Sequence, residues 1–407
     1  MKLKNISEQT IVITGATSGI GLATARMAAK KGAKLMLVAR NEKALSELAD
    51  ELSADGTRVI FAIADVGDEL ALRKAAEMTK ANFGGFDTWV NNAGASVYGR
   101  IMDVETEDLR RVFETNLWGV VYGSRIAVET LRETGGALIN VGSEVSDAPV
   151  PLQGIYAASK HAVKGFTESL RMELEADEFP ISVTIIKPTA INTPFPQNAK
   201  NYLPYEPDLP NPVYAPEMVA EAILHCAENP VKEFFVGDAA KVKSSMAKFM
   251  PGVGEKLNEM AIDTMQNKGV PAQTNRPDGL HKTNSNLRER GEPERTTFEG
   301  SIYQTSKIHP VLTGALAVGA GVGIAALVNS YMSKRDGGSE KSQSDGSPTT
   351  SLSSGALMSG VSNSSGKTSS FETTEKTEYV AAGDGQINVP SAEEGDEEFN
   401  RKAAGGF

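Results

Sequence analysis

Tyr156 and Lys160 are four residues apart in Gly154-Ile155-Tyr156-Ala157-Ala158-Ser159-Lys160. On a helix that spacing stacks both side chains on one face, about one turn apart. An ammonium beside a phenol favours the phenolate and lowers the tyrosine pKa toward working pH. A tyrosine so placed is equipped for general acid/base chemistry. The pair is common on helices, so its weight depends on what else the chain brings. Thr14-Gly15-Ala16-Thr17-Ser18-Gly19-Ile20-Gly21 follows a β-rich run and opens a helical one. Glycines there let backbone approach a pyrophosphate, and a helix start offers free N–H groups and the positive end of its dipole. Asn116 shares a helix face with Leu109, Val112, Phe113 and Val120. An amide in an apolar stripe must find hydrogen-bond partners or cost stability.

These residues need a scaffold, and the hydrophobic pattern supplies one. Strand-like runs at Thr10 to Thr14, Lys34 to Val38, Arg58 to Ile63 and Asp87 to Asn91 alternate with helical stretches at Leu22 to Lys31, around Leu45, Leu48 and Leu52, and at Leu70 to Phe83. A long helix from Thr106 to Arg132, a strand from Ala137 to Val141 and the helix carrying Tyr156 continue the series. A strand from Ile181 to Ile186, a helix from Pro216 and a strand from Glu233 to Val236 complete it. Apolar runs without strict alternation predict strands buried on both faces. The expected fold is therefore α/β: a doubly wound, Rossmann-type parallel sheet of seven strands with helices on both faces. Ligands of such sheets bind outside the carboxyl ends of the strands, where the Gly-rich turn, Ser143 and Tyr156 should converge.

After the second strand the chain reads Val38-Ala39-Arg40-Asn41. An acid there would accept bonds from a ribose 2′-OH. Arg40 instead can fork onto a 2′-phosphate, which favours NADP(H) over NAD(H). Between Pro188 and Pro216 the chain is proline-rich and loop-like, as lids are. Phe195, Tyr202, Leu203, Tyr205 and Leu209 are the candidate apolar lid residues.

Composition narrows the classes. The 407 residues carry a net charge of -11, of which the part from Ser333 onward supplies -5. No basic patch argues for nucleic acid. A single cysteine, Cys226, excludes an internal disulfide framework and suits a reducing, cytoplasmic compartment. Four scattered histidines and that cysteine make no metal cluster. The N-terminus enters a strand almost at once, leaving no room for a cleavable signal peptide.

The motifs together resemble the classical short-chain dehydrogenase/reductase family over about residues 8 to 240. The turn follows TGxxxGxG rather than GxGxxG, Asn91-Asn92-Ala93-Gly94 matches the family's NNAG, and Asn116, Ser143, Tyr156 and Lys160 match its catalytic tetrad in order and spacing. The resemblance implies that Tyr156 donates a proton to a carbonyl oxygen that Ser143 also hydrogen-bonds. Lys160 would lower the tyrosine pKa and hold the ribose, and Asn116 would anchor a proton-relaying water. It implies cofactor contacts at Gly15, Thr17, Ser18, Gly19, Ile20, Gly21, Arg40, Asp65, Val66, Asn92, Ala93, Gly94, Tyr156, Lys160, Pro188, Thr189, Ile191 and Thr193, with Asp65 at the adenine. One departure is Thr189, where the family commonly has glycine after the proline, which bears on the backbone contact near the nicotinamide. The implied partners are a small carbonyl or alcohol, apolar given the lid, and further copies of the chain in a homo-oligomer. The competing expectation is a non-catalytic nucleotide-binding or membrane-scaffold protein that kept the fold; the presence of both Tyr156 and Lys160 favours the enzyme.

The chain thus divides at 1–240 (catalytic), 241–310 (helical and loop extension), 311–332 and 333–407. The extension opens with an amphipathic stretch through Met246, Phe249, Met250, Leu257 and Met260. Val311 to Met332 has no charged residue and Gly319 and Gly323 at GxxxG spacing; its 22 residues would span about 33 Å as a helix, enough for a membrane. A soluble Gly-rich packing helix is the alternative. Residues 333–407, rich in Ser, Gly, Thr and Glu, have the composition of a disordered tail.

Overall fold

Seven apolar runs pair side by side in the computed structural model, which describes residues 1–273, 276–283, 287–291, 295–310 and Thr313. They are β1 (Thr10–Thr14), β2 (Lys34–Ala39), β3 (Val59–Ile63), β4 (Thr88–Asn91), β5 (Gly136–Val141), β6 (Ile181–Pro188) and β7 (Glu233–Val236). Every pairing is parallel and the spatial order is β3-β2-β1-β4-β5-β6-β7. The order reverses direction at β1 and β4, which opens a crevice at their carboxyl ends.

The absence of alternation in the strands has its cause here. Ile11 and Ile13 of β1 face one core with Leu35 and Leu37, while Val12 faces another with Met36, Val38 and Trp89. The first core is covered by α1 (Gly19–Lys30), α2 (Glu42–Ala54) and a later helix, Pro216–Glu228. The second is covered by α3 (Glu69–Phe83), α5 (Gly119–Thr134) and α6 (Gly154–Ala176), while Val112 of α4 (Thr106–Phe113) packs in a small separate cluster with Val97 and Leu280. In order, the remaining helices are α7 (Pro216–Glu228), α8 (Asp238–Phe249), α9 (Pro251–Met260) and α10 (Ile302–Ile308).

The single long helix expected from Thr106 is interrupted. Glu114–Trp118 forms one π turn between α4 and α5. Such turns commonly sit at functional sites because they re-aim a side chain that a regular helix would point elsewhere. The one aimed here is Asn116. The long loop after β6 is shorter of structure than a domain but not bare: Phe195–Asn198 makes a helical turn, Lys200–Asn201 pairs with Val97–Tyr98, and Tyr205–Pro207 pairs with Gln266–Pro271.

Candidate functional site

The Gly-rich turn is fixed by the end of β4. Thr14 Oγ1 accepts hydrogen bonds from the Asn92 and Ala93 N–H groups at 3.0 and 3.1 Å, and Asn92 Nδ2 donates to the Thr14 carbonyl at 2.9 Å. Gly15 has φ of +67°, a left-handed conformation that favours glycine. At Gly21 the reason is space: a Cβ would stand 2.1 Å from the Gly15 carbonyl oxygen. Gly21 therefore closes the turn by packing and does not face the crevice, unlike Gly15, Thr17, Ser18, Gly19 and Ile20.

A buried polar chain sets the pitch of α6. Asn91 Nδ2 donates to Asn140 Oδ1 at 2.9 Å, and Asn140 Nδ2 to Thr167 Oγ1 at 3.0 Å, joining β4, β5 and the helix that carries Tyr156. Asn116 is fully buried and spends its amide on the NNAG loop. Its Oδ1 accepts from the Ala95 N–H at 2.8 Å, and its Nδ2 donates to the Ala95 carbonyl at 2.9 Å and to Ser159 Oγ at 3.0 Å. It thus clamps the loop behind Gly94 to α6, one step back from the crevice wall. Fully satisfied networks of this kind hold a site rigid.

Ser143, Tyr156 and Lys160 line one cavity of about 860 Å³ together with Arg40, Asp65, Val66, Asn92, Ala93, Gly94, Pro188, Thr189, Ile191 and Thr193. Of the cofactor and tetrad residues expected from sequence, Gly21 and Asn116 are the two outside its wall. Lys160 Nζ donates to the Val141 carbonyl at 2.7 Å and lies 5.8 Å from the centre of the Tyr156 ring. Phe195 stacks obliquely on that ring at 5.4 Å.

The electrostatics differ from the expectation for a tyrosine beside a lysine. Protein packed around Tyr156 pushes its phenol up to about 12; a hydrogen bond with Ser143 pulls it down, and the Glu144 carboxylate pushes it up again. Burial brings Lys160 down to about 8. Burial thus pushes each group toward its neutral form.

Arg40 is half-buried, and burial lowers its pKa. Its guanidinium donates to the carbonyls of Gly279, Leu280 (3.1 Å) and Lys282 (3.3 Å), which belong to the extension. Close by, Gly19 N–H at the start of α1 donates to the Arg288 carbonyl at 2.9 Å. The two described stretches 276–283 and 287–291 thus lie as a strap across the end of the crevice formed by the Gly-rich turn and Arg40. Arg111, which the sequence did not single out, pairs with Asp65 and donates to the Leu280 carbonyl at 3.1 Å. Burial pushes Asp65 up, but hydrogen bonds from Arg111 and the Gly67 N–H leave it below the usual carboxylate range.

The other end of the cavity also departs from expectation. Phe195 and Leu209 line it, but Tyr202 is turned to the Asp108 carboxylate, Leu203 is buried in a separate cluster, and Tyr205 lies off the wall. Their place is taken by Met246, Leu257 and Met265 from the extension, with Val150. The helical period of 246–260 was visible in the sequence; nothing in it said which element those residues would cover.

The residues fit a nicotinamide dinucleotide. The crevice runs from Gly-rich turn to Tyr156, its glycine turn has no room for a Cβ, and the buried Thr189 Oγ1 beside β6 has no hydrogen-bond partner among the described residues. No group of metal-ligating side chains occurs among the described residues.

Comparison with known proteins agrees. The family model described as short chain dehydrogenase matches residues 9–202. The uncharacterized oxidoreductase YxnA of Bacillus subtilis is 44% identical over 322 residues, covering 78% of this chain and 90% of its own. A Burkholderia phymatum short chain dehydrogenase/reductase solved with NAD superposes with a TM-score of 0.55 at 23% identity, over 67% of this chain and 99% of its own. The L-sorbose reductase of Gluconobacter frateurii, solved with NADPH and L-sorbose, gives 0.51 at 29% identity, over 58% of this chain and 97% of its own. Fold, turn, site geometry and relatives agree, and the chain belongs to the short-chain dehydrogenase family of nicotinamide-dependent oxidoreductases.

Proposed function

We propose that the chain is an NADP(H)-dependent oxidoreductase that interconverts a carbonyl and a secondary alcohol on an apolar substrate. The observation that carries this is the convergence of Ser143, Tyr156 and Lys160 on one cavity with the Gly-rich turn and Arg40 at its far end. The bound nicotinamide supplies or accepts the hydride. Tyr156, protonated across the physiological range, gives its proton to the carbonyl oxygen during reduction, and Ser143 donates a hydrogen bond to the same oxygen as charge develops there. Lys160, anchored on the Val141 carbonyl, presents its ammonium beside Tyr156 and the ribose position. Asn116 holds the loop that forms the cavity floor. Arg40 is the group that meets a 2′-phosphate, and Met246, Leu257, Met265, Phe195 and Val150 give the substrate end its apolar walls.

Tyr156→Phe should abolish turnover with a panel of carbonyls while leaving NADPH affinity within a few-fold. Turnover close to that of the unaltered enzyme would refute the assignment.

The sequence supports a second element of this proposal, a membrane anchor at Val311 to Met332 with the catalytic part on the cytoplasmic side. Those residues lie outside the described ones apart from Thr313, and no helix of the described residues is long and apolar enough to cross a membrane. Full-length protein should stay with membranes through carbonate extraction; release into the soluble fraction without detergent would overturn the anchor.

A further inference from the structure

The helix pair that walls the substrate end of the cavity turns a bare apolar face outward. α8 and α9 meet at Met250–Pro251, and around that corner Phe249 is 75% exposed, Met250 54%, Val253 46%, Leu257 49% and Met260 74%. Single exposed apolar side chains are ordinary, but a contiguous group of large ones on one helical hairpin marks an interaction surface. On α9 the spacing Val253, Leu257, Met260 is that of one helical face. Leu257 belongs to this face and also lines the cavity, which puts the patch at the cavity mouth.

Charge and chain order indicate what covers it. α8 carries Lys241, Lys243 and Lys248 against a single acid, Asp238, in a chain of net charge -11. Lys243 pairs with Glu144 at 2.7 Å and Lys241 sits 4.4 Å from the centre of the Phe235 ring, which leaves Lys248 to the patch. Asp238 is spent on the start of α10, accepting from Ser301 Oγ and the Tyr303 N–H at 2.9 Å each. Lys248 stands 5.5 Å from the Phe249 ring, at the edge of the patch. Glu255 and Glu259 fall on the opposite side of α9 from Val253, Leu257 and Met260, whereas Lys256 flanks them. An apolar face flanked by two lysines, Lys248 and Lys256, is the pattern of a helix that lies in the headgroup boundary of an anionic bilayer. α10, docked at the start of α8, also leads in sequence straight to the uncharged residues from Val311.

We propose that the α8–α9 hairpin docks on an anionic lipid surface, seating Phe249, Met250, Val253 and Met260 at the acyl boundary. The cavity mouth at Leu257 then opens toward carbonyl compounds dissolved in the bilayer. The docking stands on the exposed face, its flanking lysines and the chain order, independently of the proposed function; the nature of the compound that enters rests on the function proposed above.

Cys226 is fully buried and burial pushes its thiol up, so Met260→Cys offers the one reactive site for an environment-sensitive nitrobenzoxadiazole label. On the full chain, vesicles of phosphatidylcholine doped with phosphatidylglycerol should shift this label to the blue and brighten it several-fold. The same label at Met172→Cys, an exposed position on α6, should not respond. Phe249→Glu combined with Met260→Glu should lower turnover of a long-chain ketone dissolved in the vesicles by about tenfold or more, since two large apolar side chains no longer enter the lipid. Reduction of a short, water-soluble ketone should be unchanged. A label at position 260 that ignores vesicles overturns the docking. So does one already in an apolar environment without them, which would show that a second copy or another stretch of the chain covers the patch. Failure of the unaltered enzyme on the soluble ketone would instead count against the proposed function.

Discussion

Proton transfer at Tyr156 turns on the protein packed around its phenol and on the hydrogen bond with Ser143. Spacing from Lys160 located Tyr156, and its neighbours Ser143 and Asn116 could be named from order along the chain. Its ionisation could not be, because that depends on how much protein surrounds the phenol. With the phenol up at about 12, the protonated form persists below that value and the phenolate fraction grows tenfold per pH unit beneath it. Carbonyl reduction, which uses the acid form, should therefore show no loss attributable to Tyr156 between about pH 6 and 9. Alcohol oxidation, which uses the base form, should gain rate with pH over the same range. Profiles of kcat/KM measured in both directions test this; a falling reduction limb centred near neutrality would mean the bound-state phenol is far more acidic.

Among the elements, the strands were legible to within two residues and the first helix to within three, because every strand but the edge strand β3 is buried on both faces and the helices covering the sheet show apolar stripes. The π turn at Glu114–Trp118 was not, since Thr106 to Arg132 keeps helical periodicity straight through it and the extra residue is absorbed by backbone geometry. The junction of β1 and α1 was read correctly as a turn, yet the glycines in it serve different ends. Gly15 supplies a left-handed conformation, and Gly21 supplies room. Gly21→Ala should unseat the turn because the clash at 2.1 Å is with backbone, which cannot swing aside. The expected result is loss of measurable NADPH binding together with destabilisation of about 1–3 kcal/mol, read by calorimetry and denaturant melts. Binding and stability close to those of the unaltered protein would show that α1 can shift along its axis at little cost.

At the scale of the whole molecule, the extension was foreseen as helix and loop but not as part of the site. No periodicity or motif marks Gly279, Leu280, Lys282 or Arg288, because what they contribute is backbone carbonyls, and any residue has one. Their partners, Arg40 and the Gly19 amide, are the groups a dinucleotide's phosphates would use. Arg40→Ala should therefore have two effects. NADPH affinity should fall by about 1.5–3 kcal/mol, the scale of charge-assisted hydrogen bonds, with NADH hardly affected. Amide exchange over 279–282 should also quicken, since the strap loses the donor it shares among three carbonyls. Equal losses for both cofactors would show that Arg40 serves the strap alone.

The strap also changes what can be borrowed from this protein. The family pattern ends at residue 202, but the guanidinium that would select the cofactor is held in place by backbone some 240 positions further along the chain. If Arg40 selects the cofactor as proposed, that preference is not a portable property of the residues that follow β2. A graft of Arg40 and its flanking residues into a shorter relative would carry the charge without the three carbonyls that aim it. The recipient would inherit a solvated arginine, and with it a weaker discrimination than the donor's.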